Sequence, residues 1–393
     1  MVNALPYLLA AATALTSVSA HAGPAPANWK RDNLNARSDL ERKCGAELEA
    51  RRVKRALEAN NRAMVKRQSM PGKRSAILPR TTGSNDSTCL LTPEVTQGPY
   101  HILGEIVRQN MTQGQLGIPL EVSVDFFDID TCEPVQVWID AWHANATGFY
   151  SGYVAETGSA LSGGFGGGGG DGGEMSMPGG MSMSGAPSGA AGPQATGDST
   201  TTASYGAYDG ADSADAASML NTDKDDEETF LRGVWRTDED GHLTMYSIVP
   251  GWYSGRAQHF HIKAYPEGYI ADNGTFVASS SAVHTGQFFF DNATLEAVAV
   301  TEYYASNAIA WSDRVDNEND QWYPYQAAAG YNALMNTVWV GDGIEEGIIG
   351  SINVGLNMSY ASPEVSTQYA DFDLEGYEAS SMIPWASATP SAW

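Results

Sequence analysis

From Leu91 onward, apolar and polar residues alternate with the period of two that is typical of a β-strand with one buried face. The pattern is clearest in PLEVSVDFF, where the apolar residues are Leu120, Val122, Val124 and Phe126 and the polar residues are Glu121, Ser123 and Asp125. Six further stretches are similar: VQVWIDAWHAN, LTMYSIV, QHFHIKAY, GQFFF, EAVAVTEYY and NTVWVG. They are short and separated by polar or Gly/Pro/Asp turns, so we predict an all-β domain with an antiparallel β-sandwich core over residues 81–360.

The segment before this domain has a different pattern, basic and helical. In residues 23–80, Ser38 and Glu41 have the spacing of a capping box, and Leu40, Cys44 and Leu48 form one apolar stripe. Six dibasic pairs lie between residues 30 and 74. The segment reads either as a solvated charged helix or as a propeptide cut at a dibasic site, and we favour the propeptide because it would dock on an acidic body.

The first residues predict secretion. Residues 1–22, MVNALPYLLAAATALTSVSAHA, form an apolar stretch of signal-peptide length that ends in small residues. No later run approaches the length of a membrane span, so we expect a secreted protein without a membrane partner. Six Asn-x-Ser/Thr sequons agree with that route and predict a glycoprotein.

Two segments outside the strand pattern have no core of their own. Residues 158–226 are rich in Gly, Met and Ser and have almost no other large apolar residue, which predicts a disordered insertion within one domain. Residues 361–393 are expected to form a C-terminal tail.

Charge is divided unequally along the chain. Fifteen of the 22 Lys and Arg residues lie between Lys30 and Arg80, which leaves seven for the chain that follows, against 41 of the 47 acidic residues. Such an acidic body repels nucleic acid, so we predict no nucleic-acid partner.

The chain has three cysteines, an odd number for an oxidising compartment. Removal of a propeptide that contains Cys44 would leave Cys89 and Cys132. We therefore predict a disulfide bond between Cys89 and Cys132.

Candidate chemistry first appears in GWYSGRAQHFHIKAY, residues 251–265. Side chains two apart on a strand lie on the same face, so His259 and His261 can reach one metal ion while Phe260 faces the other side. The alternative is a pair of hydrogen-bonded core histidines. Tyrosines lie nearby in GFYSGY and GWYSG, and a phenolate is a hard donor that suits a strong Lewis acid. Two phenolates and two imidazoles would leave a ferric ion with a single positive charge.

Four blocks of the chain resemble the intradiol ring-cleavage dioxygenases, and most of all the secreted fungal-type branch of that family. The blocks are LTPEVTQGPYHI, DIDTCEPVQVWIDAWHANATGFYSGY, FLRGVWRTDEDGHLTMYSIVPGWYSGRAQHFHIKAY and HTGQFFFD. They cover residues 88–153 and 229–291 closely, and the likeness continues more loosely to about residue 350.

The resemblance implies a site and a reaction. Matched by motif position, the iron ligands would be Tyr150, Tyr253, His259 and His261, and the cofactor would be Fe(III). Arg256 would stabilise negative charge on the substrate, and Tyr253 would leave the metal and act as a base. The expected partners are a small catechol-type molecule and dioxygen, and a homodimer is left open. The chain reads Arg-Ala-Gln-His where many relatives read Arg-Pro-Ala-His, a change that spares every charged or ligating group.

Two other functions remain open at this point. The first is a secreted binding or structural domain on the same fold that has no turnover, because fold alone does not determine function. The second is a secreted copper or zinc protein that uses the His-x-His pair and the Met-rich insertion.

Overall fold

The computed structural model describes residues 29–69, 81–82, 90–91, 93–157, 223–327 and 331–370. Its long helix is α1 (Trp29–Ser69), and its strands run in chain order as β1 (Thr81–Thr82), β2 (Leu90–Leu91), β3 (Pro119–Asp128), β4 (Trp138–Trp142), β5 (Arg232–Arg236), β6 (His242–Ile248), β7 (His259–Tyr265), β8 (Gly268–Ile270), β9 (Phe276–Ala278), β10 (His284–Phe289), β11 (Asn336–Trp339) and β12 (Ile348–Leu356). Three shorter helices are α2 (Asn292–Ala299), α3 (Glu302–Ala305) and α4 (Tyr323–Gln326).

The core lies between two sheets. One has the strand order β1-β11-β12-β3-β6, with β2 also paired to β12, and the other has the order β10-β7-β4-β5. The predicted apolar face of β3 is confirmed, because Leu120, Val122, Val124 and Phe126 are all fully buried in one cluster with residues of the second sheet. Phe260 of β7 belongs to the same cluster, so the side chains on either side of it in sequence point away from the core.

Strand pairing is only partly antiparallel. The four-stranded sheet is antiparallel throughout. In the other sheet, β12 pairs in parallel with β3 and with β2, so the prediction of an entirely antiparallel fold is wrong there. A run such as IIGSINVGL in β12 is buried on both faces and gives no alternation that would have predicted the strand or its direction.

The polar face of β3 is covered by α1. Glu121, Ser123 and Asp125 are 1–2% exposed, so β3 is buried on both faces rather than half-buried as its alternation predicts. Arg55 donates to both oxygens of Asp125 at 2.8 and 2.9 Å, and Lys66 lies 2.9 Å from the Glu121 carboxylate. The predicted docking of a basic helix on the acidic body is confirmed.

Apolar contacts hold the helix at two further places. The predicted stripe of Leu40, Cys44 and Leu48 is buried against Phe127 and Ile129 at the end of β3. Nearer its carboxyl end, α1 contributes a second small cluster, formed by Ala59, Ala63, Val338, Val340 and Ile349.

The disulfide bond differs from the prediction. Cys132 is bonded to Cys44 of α1, with a Cα–Cα distance of 5.5 Å and a sequence separation of 88. Cys89 lies outside the described residues. The prediction was wrong because it treated the helix as a separable segment, whereas the Leu40–Leu48 stripe brings Cys44 against the loop that holds Cys132.

One predicted strand is helical. EAVAVTEYY lies in α2 and α3 rather than in a sheet. Asp291 caps α2 by accepting a hydrogen bond from the Thr294 backbone amide, and the buried residues Leu295, Val298 and Ala299 lie on one helical face. The apolar residues Ala297, Val298 and Val300, which suggested a strand, therefore belong to or directly follow a helix that begins at a capping residue.

The two ends of the insertion meet. Most of residues 158–226 lies outside the described part of the chain, but Asp225 and Asp226 on its far side accept hydrogen bonds from backbone amides of residues 152–156. Residues 361–370 of the expected tail are also attached to the domain, where Ser366 donates to the carbonyl of His101. In the described residues, no helix has the length and apolar character needed to cross a bilayer.

Candidate metal centre

His259 and His261 lie together on the outer face of the four-stranded sheet. Both are 2% exposed, and their Nε2 atoms are 2.8 Å apart. Trp142 lies opposite His261 in the neighbouring strand β4, and the two rings stack at 4.8 Å with an angle of 7° between their planes. The strand places both imidazoles on one face of the sheet, and the stacking fixes the orientation of the His261 ring.

The two tyrosines come from loops that touch each other. Tyr150 follows β4 and Tyr253 follows β6. Between them, Gly148 has φ +91° and lies so close to Trp252 that a Cβ would be 2.4 Å from its carbonyl oxygen. Gly251 is equally close to the Asn145 carbonyl, at 2.4 Å from an added Cβ. Only glycine permits this close approach, which brings the tyrosine rings to 5.4 Å in an edge-to-face arrangement.

The structure brings all four predicted ligands together. The Tyr253 hydroxyl lies 3.4 Å from His259 Nε2, and the Tyr150 ring is 6.3 Å from the His261 ring. Two donors that share one ion at about 2 Å lie roughly 3 Å apart, so the separations of the Tyr253, His259 and His261 donor atoms fit a common metal.

Unpaired polar atoms support the same interpretation. The Tyr150 hydroxyl is buried and has no hydrogen-bond partner with normal geometry. His259 Nδ1 lies 2.6 Å from the Ala257 carbonyl, which it can only donate to, so Nε2 of a neutral imidazole keeps its lone pair. Metal-ligating histidines are oriented in this way. The donor set therefore fits a hard or intermediate metal ion.

Burial keeps the imidazoles neutral. Burial, together with the positive charge of Arg256, lowers the pKa of His259 to about 3, and the pKa of His261 is lowered well below its usual value by burial and by His259. Burial raises the pKa of Tyr150 far above 10, with a further contribution from Tyr253. Neutral imidazoles are ready to ligate, whereas the phenols need the charge of a metal ion to become phenolates.

Arg256 reaches the donors with a fixed guanidinium. Its Nη1 lies 3.4 Å from His259 Nε2, and its Nη2 donates to Gln287 at 2.5 Å. On the other side, Asp320 accepts from Arg256 Nε at 2.9 Å and from Nη2 at 3.3 Å. Burial alone would raise the pKa of Asp320, but the charge and hydrogen bonds of Arg256 lower it to about 2. The pair is therefore ionic.

Sequence reasoning missed several residues of the site. Asp320 lies in the turn just before α4, far in sequence from the motifs, and its context NENDQWYP gives only a turn signal. Tyr100 belongs to the first resembling block, and its ring lies 4.7 Å from Tyr150 and 6.3 Å from Tyr253. Among the described residues, no group of three or more His, Cys, Asp or Glu side chains could hold a metal, so a search limited to those types would overlook this centre.

The comparisons with known proteins give likenesses only among solved structures. No family model matches the chain, and no curated protein matches it. The chain resembles an intradiol ring-cleavage dioxygenase from Tetranychus urticae, with 22% identity over 70% of this chain and 98% of that chain and a TM-score of 0.45. It is also similar to the dioxygenase domain of a dioxygenase carbohydrate-binding protein fusion from Streptomyces sp. SirexAA-E, with 20% identity over 67% and 97% of the two chains and a TM-score of 0.33.

A third similar structure is catechol 1,2-dioxygenase from Acinetobacter sp. ADP1, with 13% identity over 86% of this chain and 84% of that chain and a TM-score of 0.35. All three are dioxygenases by their titles. Because these TM-scores lie below 0.5, we base the function on the geometry of the site.

Proposed function

We propose that the protein is a secreted dioxygenase that cleaves a catechol-type ring between its two hydroxyl-bearing carbons with a non-haem Fe(III) ion. The observation that carries this proposal is the convergence of two phenol oxygens and two imidazole nitrogens beside a buried guanidinium. Tyr150, Tyr253, His259 and His261 would hold the ion, and phenolate donors favour a trivalent metal over zinc or copper(I).

A ferric ion bound here would lower the pKa of both catechol hydroxyls and make the ring reactive towards dioxygen. Tyr253 is the better of the two tyrosines to take a hydroxyl proton from the substrate, because it is partly exposed while Tyr150 is fully buried. Burial raises the pKa of Tyr253, and the neighbouring Arg256 opposes that rise. Tyr150 is enclosed by other side chains and would stay in place.

Arg256 would stabilise the negative charge that develops on the ring. Its guanidinium is 7% exposed and held by Asp320 and Gln287, so it needs no reorganisation when the charge appears. Gln287 is itself anchored, since its amide nitrogen donates to the Thr96 carbonyl at 3.0 Å. Both atoms of dioxygen enter the product, a muconate-type diacid, so catechol and dioxygen are consumed one to one and no further reductant is required.

The decisive experiment uses the purified secreted protein. We expect about one iron per chain, a red colour from phenolate-to-iron charge transfer that bleaches when the metal is removed, and uptake of one dioxygen per catechol. Colourless protein with stoichiometric zinc or copper would contradict the proposal. Coloured protein that binds catechol without dioxygen uptake would instead identify a non-catalytic metal-binding domain.

A further inference from the structure

The positive charge next to the metal-donor atoms is paired with a buried carboxylate, which is unusual for a protein that binds anions. Arg256 is the cation nearest the metal-donor atoms, and Asp320 contacts it with both carboxylate oxygens. Asp320 is 3% exposed and also accepts from the Ala257 and Trp322 backbone amides, so it cannot swing away from the guanidinium. Arg256 can therefore still stabilise charge on a group in direct contact with it, but Asp320 offsets much of its attraction for a substituent farther away.

The other cations near the donors are paired as well. Arg232 lies 3.7 Å from Glu105, and His101 lies 3.0 Å from Asp140. Lys224, which packs near Gly152, lies 2.6 Å from Glu227. Each of these three cations therefore has a carboxylate within 4 Å.

Carboxylates flank the open side of the site. Tyr100 and Tyr253 are the partly exposed members of the tyrosine cluster, so solvent reaches the cluster from their side. Glu156 lies in the turn that follows Tyr153, and this turn is held against the cluster because the Tyr150 backbone amide donates to the Thr157 hydroxyl at 3.4 Å. Asp225 is attached to the same turn through its backbone amide, which donates to the Gly152 carbonyl at 2.9 Å. Asp225 accepts from the Glu156 amide at 2.6 Å, which holds the two acidic residues together at this rim.

We propose that the site selects catechols whose ring carries no anionic substituent. This inference rests on the dioxygenase function proposed above. A ring carboxylate would have to leave water beside cations that each already have a carboxylate within 4 Å, and burying a poorly compensated charge is costly. On its approach it would also meet Glu156 and Asp225, inside the field of a chain with a formal net charge of -25.

The test compares catechol with 3,4-dihydroxybenzoate, which differs from it by one carboxylate. The iron-loaded protein is titrated with each compound without dioxygen, and the change in visible absorbance gives the dissociation constants independently of turnover. Steady-state kinetics then give the ratio of kcat/KM for the two compounds. We expect both the dissociation constants and the kcat/KM values to favour catechol by at least about tenfold, because a single unpaired charge has an effect of about this size.

Two variants test which charges cause the preference for catechol. Glu156→Lys reverses an exposed charge at the rim and should lower the preference by roughly threefold at low salt, with the effect lost at high salt. Asp320→Asn should lower it by about tenfold, because Arg256 is then free to attract the carboxylate. Glu345→Lys, an equal charge reversal in the turn before β12, is the matched control and should leave the preference unchanged.

The outcomes separate the two proposals. A preference for 3,4-dihydroxybenzoate in the parent protein, or a preference that moves no more in Glu156→Lys than in Glu345→Lys, would overturn the selectivity inference while leaving the dioxygenase function intact. Because the rim variant is exposed, this test holds even if Asp320→Asn fails to fold. If no catechol shifts the absorbance of the iron-loaded protein, the dioxygenase function fails and the selectivity falls with it.

Discussion

At the scale of single residues, the site is defined by polar atoms that lack protein partners. Tyr150 and Tyr153 are neighbours with the same burial, and the hydroxyl of each is unpaired. Only Tyr150 lies against Tyr253 and His261, which places its hydroxyl among the donors. Tyr153 instead lies beside the Arg232 guanidinium, at 5.7 Å from its ring centre.

This pair allows a matched test of the metal site. Tyr150→Phe should abolish the visible absorption and retention of iron, whereas Tyr153→Phe should keep both. Removing an unpaired buried hydroxyl should not destabilise the metal-free protein. We expect the unfolding free energy of either variant to equal that of the parent or to exceed it by up to about 1 kcal/mol. Iron content and chemical denaturation of the metal-free proteins check the two statements. Iron retained by Tyr150→Phe would contradict the ligand assignment.

At the scale of elements, α1 and β3 depend on each other. The polar residues of β3 form a row of carboxylates that no apolar layer could cover, and the basic face of α1 neutralises them. The sequence of either element alone does not indicate this neutralisation, because the β3 pattern predicts a half-exposed strand and the α1 pattern predicts a solvated helix.

The buried ion pair should be far stronger than a surface pair on the same helix. Arg55→Ala leaves the Asp125 carboxylate buried beside His242 alone, and we expect a loss of about 3 kcal/mol in unfolding free energy. Arg42 pairs with Asp39 on the exposed side of α1, so Arg42→Ala should cost less than about 0.5 kcal/mol. Equal losses from urea unfolding of the two variants would show that the pair does not hold the helix.

The Arg55–Asp125 ion pair also predicts that the protein loses stability at acid pH. Burial raises the pKa of Asp125, but hydrogen bonds and charges from His242 and Arg55 outweigh burial and leave the pKa below its ordinary value. A group whose pKa is depressed on folding contributes stability above its unfolded pKa of about 3.9 and loses that contribution as the pH falls further. The unfolding free energy should therefore fall steeply below pH ~4. Asp125→Asn should flatten that slope, and the exposed Asp130→Asn should not.

At the scale of the whole molecule, the disulfide makes the helical segment a permanent part of the domain. Cys44 and Cys132 close a loop of 88 residues, so α1 stays attached even if the chain is cut before the first strand. A propeptide that is cut but retained is consistent with both the dibasic pairs and this bond.

We predict a two-chain protein after cleavage at Lys73-Arg74. A dibasic-specific protease should give one band under non-reducing electrophoresis and two bands after reduction. Cys132→Ser should release the helical fragment and lower the unfolding free energy of the uncut protein by about 2–4 kcal/mol. Cys89→Ser is the matched control and should change neither result. Release of the fragment from the parent protein without reductant would contradict the bond.

The local pattern was sufficient for part of this protein. Alternation located β3, β4, β6, β7, β10 and β11, because a strand with a face in the core must repeat every two residues whatever its partners are. Motif position and the His-x-His spacing named four side chains that the structure brings together, since two of them need only one strand to lie side by side. The ligand role of these residues remains a prediction that the iron measurements will test.

Tertiary structure alone decided the rest. The parallel pairing of β12, the burial of Glu121 and Asp125, the partner of Cys132 and the placement of Asp320 against Arg256 all join residues more than 50 apart in the chain. No local period encodes such contacts, because each depends on which surfaces remain uncovered once the two sheets have packed. The chemistry of the site was therefore readable from the chain, while the charge balance that surrounds it was not.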